Sequence, residues 1–284
     1  MSLLQAVILG IVQGLTEFIP ISSSAHLVII PWLFGWSDPG LTFDIALHMG
    51  TLTALLWFFW ADWVRLVRAG VASIIERKIG QDSDRRLAWF LVIGTIPGGI
   101  VGLLAENKIV ELFHQPDAPH ALGAMAAMAV IIALLGAALF IAERTARHIR
   151  GLHQVSLKDA VIIGLSQALA IFPGVSRSGS TITAGLAVGL QRETAARFSF
   201  LLSAPIMLAA GLKSLLDVRR ELVTGAMVQS DLVILAIGFI TAAVSGYLCV
   251  KLLLRFLQKH STDVFVYYRW LLAALIIAVV LARI

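Results

Sequence analysis

The chain has 284 residues, 59% of them hydrophobic and 14% charged, with a mean hydropathy of +0.90. Soluble domains carry about 25% charge, so this composition excludes an ordinary soluble globule and points to an integral membrane protein. The net charge of +5 does not argue for nucleic-acid binding, because the basic residues sit in short stretches between apolar runs, the pattern of positive-inside topology.

Residues 3–19 are apolar but carry Gln13 and Glu17, and they run into Pro20. Ser22, Ser23, Ser24 and His26 follow, and residues 27–36 are apolar again. Each arm is short or polar-interrupted for a spanning helix of about 20 residues, so a re-entrant helix hairpin is expected. Residues 43–60, 87–104 and 122–142 read as spans one to three, the second with a Pro97-Gly98-Gly99 kink. The pattern then restarts. Residues 160–190 form a second polar-centred hairpin, and 198–216, 232–254 and 264–282 read as spans four to six. The first Lys or Arg is Arg65, so no cleaved signal peptide is expected. Cys249, the one cysteine, lies in an apolar run and excludes an intrachain disulfide.

Charge assigns the faces. The stretches 61–86, 143–197 and 255–263 hold six, six (Arg177 excluded) and two basic residues. The opposite stretches, 1–42, 105–121, 217–231 and the C-terminus, hold none, one, two and one. Both termini are therefore expected outside the cytoplasm.

Residues 10–24 align with 164–178 at an offset of 154, with six of fifteen positions identical, including Gln13/Gln167, Ser22/Ser176 and Ser24/Ser178. Residues 93–96 and 237–240 give a weaker echo around Gly94 and Gly238. Each repeat, about 1–145 and about 155–284, then holds one hairpin and three spans. Three is odd, so the second copy is expected to be inverted, with the polar tips meeting near the midplane. The predicted fold is an all-α integral membrane protein: six transmembrane helices plus two re-entrant hairpins, an inverted-topology repeat within one membrane domain over 1–284.

Gln13 and Glu17 are four apart and share one helix face. A carboxylate in an apolar helix is a functional candidate: it can hold a metal ion, orient water or accept a proton. Ser22, Ser23 and Ser24 can cap the returning helix or ligate phosphate, and one of them can be a nucleophile activated by His26 or Glu17. His26 sits close to both a carboxylate and hydroxyls, whereas His48 lacks such a cluster and reads as structural. In the second hairpin Gly174 and Gly179 permit tight backbone, while Ser176, Ser178, Ser180 and Thr181 surround a helix start suited to phosphate. Arg177 adds a bidentate donor fork. Together these groups suit phosphoryl transfer from a lipid-borne phosphate, with a divalent cation and the arginine neutralising its oxygens. The same architecture also suits a polyprenyl-phosphate transporter or flippase; phosphate release separates the two readings.

The stretches Gln13–Glu17–Pro20–Ser22–His26 and Pro173–Gly174–Ser176–Arg177–Ser178–Ser180–Thr181 resemble the two signature motifs of the bacterial undecaprenyl-diphosphatase family, also known as bacitracin-resistance proteins. The resemblance extends along the chain, including residues 43–51 and 198–202. It implies a plasma-membrane hydrolase that converts undecaprenyl diphosphate to undecaprenyl phosphate and inorganic phosphate, recycling the lipid carrier of peptidoglycan precursors. It further implies dependence on a divalent cation (Mg2+ first, Ca2+ or Mn2+ otherwise), a site open to the outer face, and a homodimer. By position, Glu17 falls on the essential acid, Ser23 and His26 on the catalytic hydroxyl and imidazole, and Ser176, Arg177, Ser178 and Thr181 on the phosphate-binding motif. Gln13 stands where the family often has Glu, which leaves Glu17 with Gln13 as the candidate metal ligands.

Overall fold

The computed structural model describes the backbone of residues 1–113, 118–223 and 229–283 and the side chains of residues 1–105, 122–212 and 232–283. The charges counted on the outer connections at Lys108, Arg219 and Arg220 lie outside the described side chains. Among the described residues the chain is helical, with an isolated bridge between Arg150 and Leu190.

Eleven α-helices run in order: α1 (Leu3–Thr16), α2 (Ser23–Phe34), α3 (Leu41–Phe58), α4 (Trp60–Ile75), α5 (Ser83–Phe113), α6 (Ala118–Thr145), α7 (Leu157–Ala168), α8 (Arg177–Ala187), α9 (Arg192–Val223), α10 (Gln229–Leu257) and α11 (Asp263–Arg283). Among the described residues, six carry stretches long and apolar enough to cross a membrane: Leu41–Phe58, Ser83–Ala105, Leu122–Thr145, Arg192–Leu212, Leu232–Leu257 and Asp263–Arg283. The chain is thus a multi-pass membrane protein with the expected number of spans. Helices α1, α2, α7 and α8 have 14, 12, 12 and 11 residues, about 16–21 Å at 1.5 Å per residue. None reaches the ~30 Å of a bilayer's hydrocarbon core.

One element differs from the sequence reading. Residues 62–86 are not merely a charged connection, because α4 occupies most of them. Its apolar residues recur at helical spacing. Leu66 and Ser73 are buried, while Val67, Val71, Ile74 and Ile75 are exposed beside Arg65 and Arg68. The Trp89 indole of α5 donates to Ser73 Oγ at 2.8 Å and pins the inner face. Low overall hydrophobicity hid this helix, whose signal is periodicity.

Packing brings the two halves of the chain together. Helix α10 lies against α1 and α3, α5 lies against α7 and α9, and α11 lies against α6. Glycine permits the closest approaches. A Cβ on Gly10 would sit 2.9 Å from the Gly238 carbonyl oxygen, and one on Gly164 would sit 2.3 Å from that of Gly94. The main apolar core gathers Phe18, Phe59, Phe198, Phe200 and Leu202. Phe18 and Phe200 meet edge to face at 5.3 Å, which seats the break after α1 on α9.

Candidate active site

The site forms where the break between α1 and α2 meets the start of α8. Gln13 and Glu17 lie one turn apart at the end of α1, both buried, and Gln13 Nε2 donates to Glu17 Oε2 at 2.9 Å. The chain then turns through Ser22, whose φ of 77° is unusual for a non-glycine residue. That turn starts α2 and lets Ser23 Oγ donate to the same Glu17 oxygen at 2.6 Å. The other half repeats the device. Gly174 has a φ of 94° and Ser176 a φ of 68°, and α8 starts with Arg177. Its guanidinium reaches across to Glu17 Oε1 in an ion pair, and also donates to the Ser203 carbonyl at 3.3 Å. Ser178 Oγ donates to the Ile19 carbonyl at 3.2 Å, tying one break to the other.

Four predicted site residues therefore meet directly: Gln13, Glu17, Ser23 and Arg177. The remaining hydroxyls frame them. Ser22 Oγ lies 3.3 Å from Ser24 Oγ, and Ser176 Oγ lies 3.2 Å from Ser178 Oγ. Ser176 caps α8, its hydroxyl accepting from Gly179 N at 3.0 Å, whereas Ser22, expected as a cap of α2, makes no side-chain cap hydrogen bond. Thr181 is fully buried, with Oγ1 2.6 Å from Ser199 Oγ. Among the described residues no hydrogen bond engages the backbone N–H of Arg177 or Ser178, so the α8 N-terminus keeps donors for an anion.

The two histidines make contacts that their sequence neighbours do not foretell. His26 lies one turn into α2 on the face turned toward α11. Its Nδ1 lies 2.6 Å from the Ser22 carbonyl, its Nε2 lies 2.7 Å from the Tyr268 hydroxyl, and its ring stacks on Tyr268. A carbonyl only accepts, so Nδ1 carries the proton there. Both ring nitrogens are committed away from Glu17 and Ser23. His48, read from sequence as structural, brings Nε2 to 3.8 Å from Glu17 Oε2 while its side chain stays 40% exposed. Its Nδ1 donates to the Asp44 carbonyl at 2.7 Å, which aims Nε2 at the carboxylate. No sequence spacing connects residues 48 and 17; only the packing of α3 on α1 does so. Arg269 of α11 was also missed, although an arginine inside an apolar span is itself a signal.

The family model described as "Bacitracin resistance protein BacA" matches residues 6–275. The chain belongs to this family. Among its relatives, a protein of Moorella thermoacetica is 47% identical over 98% of both chains, one of Thermomicrobium roseum 44% over 99% of both, and one of Desulforudis audaxviator 46% over 98% of both. Each of these BacA relatives carries the name undecaprenyl-diphosphatase.

Proposed function

We propose that this protein hydrolyses undecaprenyl diphosphate to undecaprenyl phosphate and inorganic phosphate, recycling the lipid carrier for peptidoglycan synthesis. The observation that carries this reading is the triple contact of Glu17 with Ser23, Gln13 and Arg177. A hydroxyl hydrogen-bonded to a carboxylate is a nucleophile beside its base, and a guanidinium fork matches phosphate oxygens. The incoming diphosphate draws Arg177 from Glu17, and the free N–H groups at the head of α8 take further oxygens. Glu17, released, accepts the Ser23 proton as Ser23 Oγ bonds to the terminal phosphorus. The bridging P–O bond breaks, and its electron pair leaves on undecaprenyl phosphate. Water then bonds to the phosphoserine phosphorus as the Oγ–P bond breaks; its electron pair returns to Ser23 Oγ, which recovers the proton from Glu17, the water's proton passes to the carboxylate so vacated, and inorganic phosphate leaves. Half-exposed His48 is the group able to pass protons between Glu17 and solvent, whereas His26 secures the Ser22 turn that aims Ser23.

A divalent cation, Mg2+ before Ca2+ or Mn2+, fits this site in a shared mode. Among the described residues no group of three or more His, Cys, Asp or Glu side chains could hold a metal, so a protein-only cage is not offered. Glu17 and the buried Gln13 Oε1, which has no hydrogen-bond partner among the described residues, would supply two oxygen donors. Mg2+ commonly binds through one or two carboxylates plus substrate phosphates. When bound, the cation neutralises phosphate charge.

The proposed architecture is one membrane domain of two inverted repeats, about 1–145 and about 155–284, each opening on a re-entrant hairpin. Its support is the crossed contact of Gly10 with Gly238 and Gly164 with Gly94, and the left-handed serines 154 residues apart, Ser22 and Ser176. The charge distribution supports both termini outside the cytoplasm of a bacterial plasma (inner) membrane. A site open to the periplasmic or outer face and a homodimer are proposed on the family resemblance.

The test is phosphate release by the purified protein from a soluble short-chain prenyl diphosphate with Mg2+, followed by trapping with substrate labelled in the terminal phosphate. Release with label on Ser23 is expected. Release without phosphoserine transfers the nucleophile's role to water. Lipid movement without release favours the flippase reading.

A further inference from the structure

Arg269 is fully buried and is the largest such side chain among the described residues. It lies six residues into α11, about 9 Å along the axis. Its Nε donates to the carbonyl of Pro20, in the break after α1, and its Nη2 donates at 3.3 Å to the carbonyl of Val175, in the break before α8. One guanidinium thus bridges the two segments that carry Ser23 and Arg177. Its remaining nitrogen, Nη1, is buried and has no hydrogen-bond partner among the described residues. Arg269 also has no carboxylate partner among them, whereas Arg177 is already matched by Glu17. A buried cation held only by carbonyl oxygens is costly, and an anion nearby relieves that cost.

Gly179 fits the same account. A Cβ there would lie 2.2 Å from Arg269 Nη2, so only glycine in the first turn of α8 admits the guanidinium in its present place. The missing side chain leaves the Arg269 fork beside the helix turn headed by Arg177 and Ser178.

We infer that Arg269 is a positioning residue of the diphosphate site: it holds the two breaks in register and supplies the buried positive charge that the substrate's phosphates offset. This inference rests on the proposed diphosphatase reading. Two properties of the side chain then separate. The charge draws the diphosphate, and the fork, reaching two carbonyls at once, sets the distance between Ser23 and Arg177. Lysine keeps the first and loses the second, because an ammonium is a point charge without a planar fork.

The experiment measures KM and kcat on a short-chain prenyl diphosphate and inhibition by its methylene-bridged analogue, for the wild type, Arg269→Lys, Arg269→Met and Gly179→Ala. Arg269→Met is expected to raise KM and weaken the analogue about tenfold or more, the scale of losing a ground-state charge interaction. Arg269→Lys is expected to hold KM within about threefold while kcat falls about tenfold or more. Gly179→Ala, which displaces the guanidinium without removing it, is expected to lower kcat in the same way. Wild-type KM and inhibition in Arg269→Met would overturn the inference. Should Arg269→Met fail to fold, wild-type kinetics in both Arg269→Lys and Gly179→Ala overturn it instead. A wild-type protein that releases no phosphate rejects the diphosphatase reading itself, a distinct outcome.

Discussion

Arg177 and Glu17 stand 160 residues apart in sequence and form an ion pair between two helix breaks. The carboxylate and the guanidinium thereby offset each other's charge inside the bundle. In the proposed mechanism a diphosphate competes with Glu17 for Arg177 and converts the pair into a base and an anion clamp.

Glu17→Gln keeps the size of the side chain and removes both the base and the counter-charge. Loss of a positioned base costs about 10²–10⁴-fold in rate, so phosphate release is expected to fall by that factor. Arg177→Lys is expected to lose activity too, chiefly through weaker substrate binding, because the fork is gone. Near-normal turnover in Glu17→Gln would remove the carboxylate from the centre of the mechanism.

His48→Asn tests the proton-transfer role proposed for His48. With Nε2 placed 3.8 Å from Glu17, its loss is expected to lower kcat by about 10–100-fold, a partial loss of proton-transfer assistance, and to leave KM unchanged. Tyr268→Phe, which removes only the hydroxyl bonded to His26, is expected to alter kcat far less. The reverse ranking in steady-state kinetics would return the proton-transfer role to His26.

Gly164→Ala probes the crossed packing. Its Cβ would lie 2.3 Å from the Gly94 carbonyl oxygen, and backbone cannot swing aside as a side chain can. Overpacking of this kind costs about 1–3 kcal/mol, read as an earlier unfolding transition in detergent. Gly99→Ala is the control, since nothing lies within 4 Å of a Cβ there, and no loss of stability is expected.

Asp159 anchors the start of α7, outside the six spans. Burial pushes its pKa up, but the Arg150 guanidinium and the Ser156 N–H and hydroxyl outweigh burial and hold the carboxyl below its usual value. A carboxyl whose folded pKa is depressed contributes stability above its unfolded pKa, about 3.9, and loses it as pH falls through the folded value. Asp159→Asn is therefore expected to be less stable than wild type at pH 7, with the difference closing below about pH 4. A difference that stays constant with pH would assign the effect to packing alone.

Much of this protein follows from local chemistry. Spans appear because about 20 apolar residues are needed to cross hydrocarbon, and the six helices of that kind coincide with the apolar runs. The interrupted arms around Pro20 and Pro173 were legible for the opposite reason, since Gln13, Glu17 and Arg177 break an apolar pattern where polar groups are expensive. The helix α4 was missed because a hydropathy average is blind to periodicity.

What the sequence by itself determined is the material: how many segments cross, where they break, and which polar residues the bilayer would not tolerate without a purpose. Which of those residues meet was decided only by the tertiary structure. His48 joins Glu17 because α3 packs beside the end of α1, His26 turns to Tyr268 because α11 covers that face of α2, and Arg269 reaches both breaks from a third segment. Local spacing governs contacts within a turn or two of helix, whereas contacts between helices depend on which ridges and glycine gaps fit together, a property of the assembled bundle.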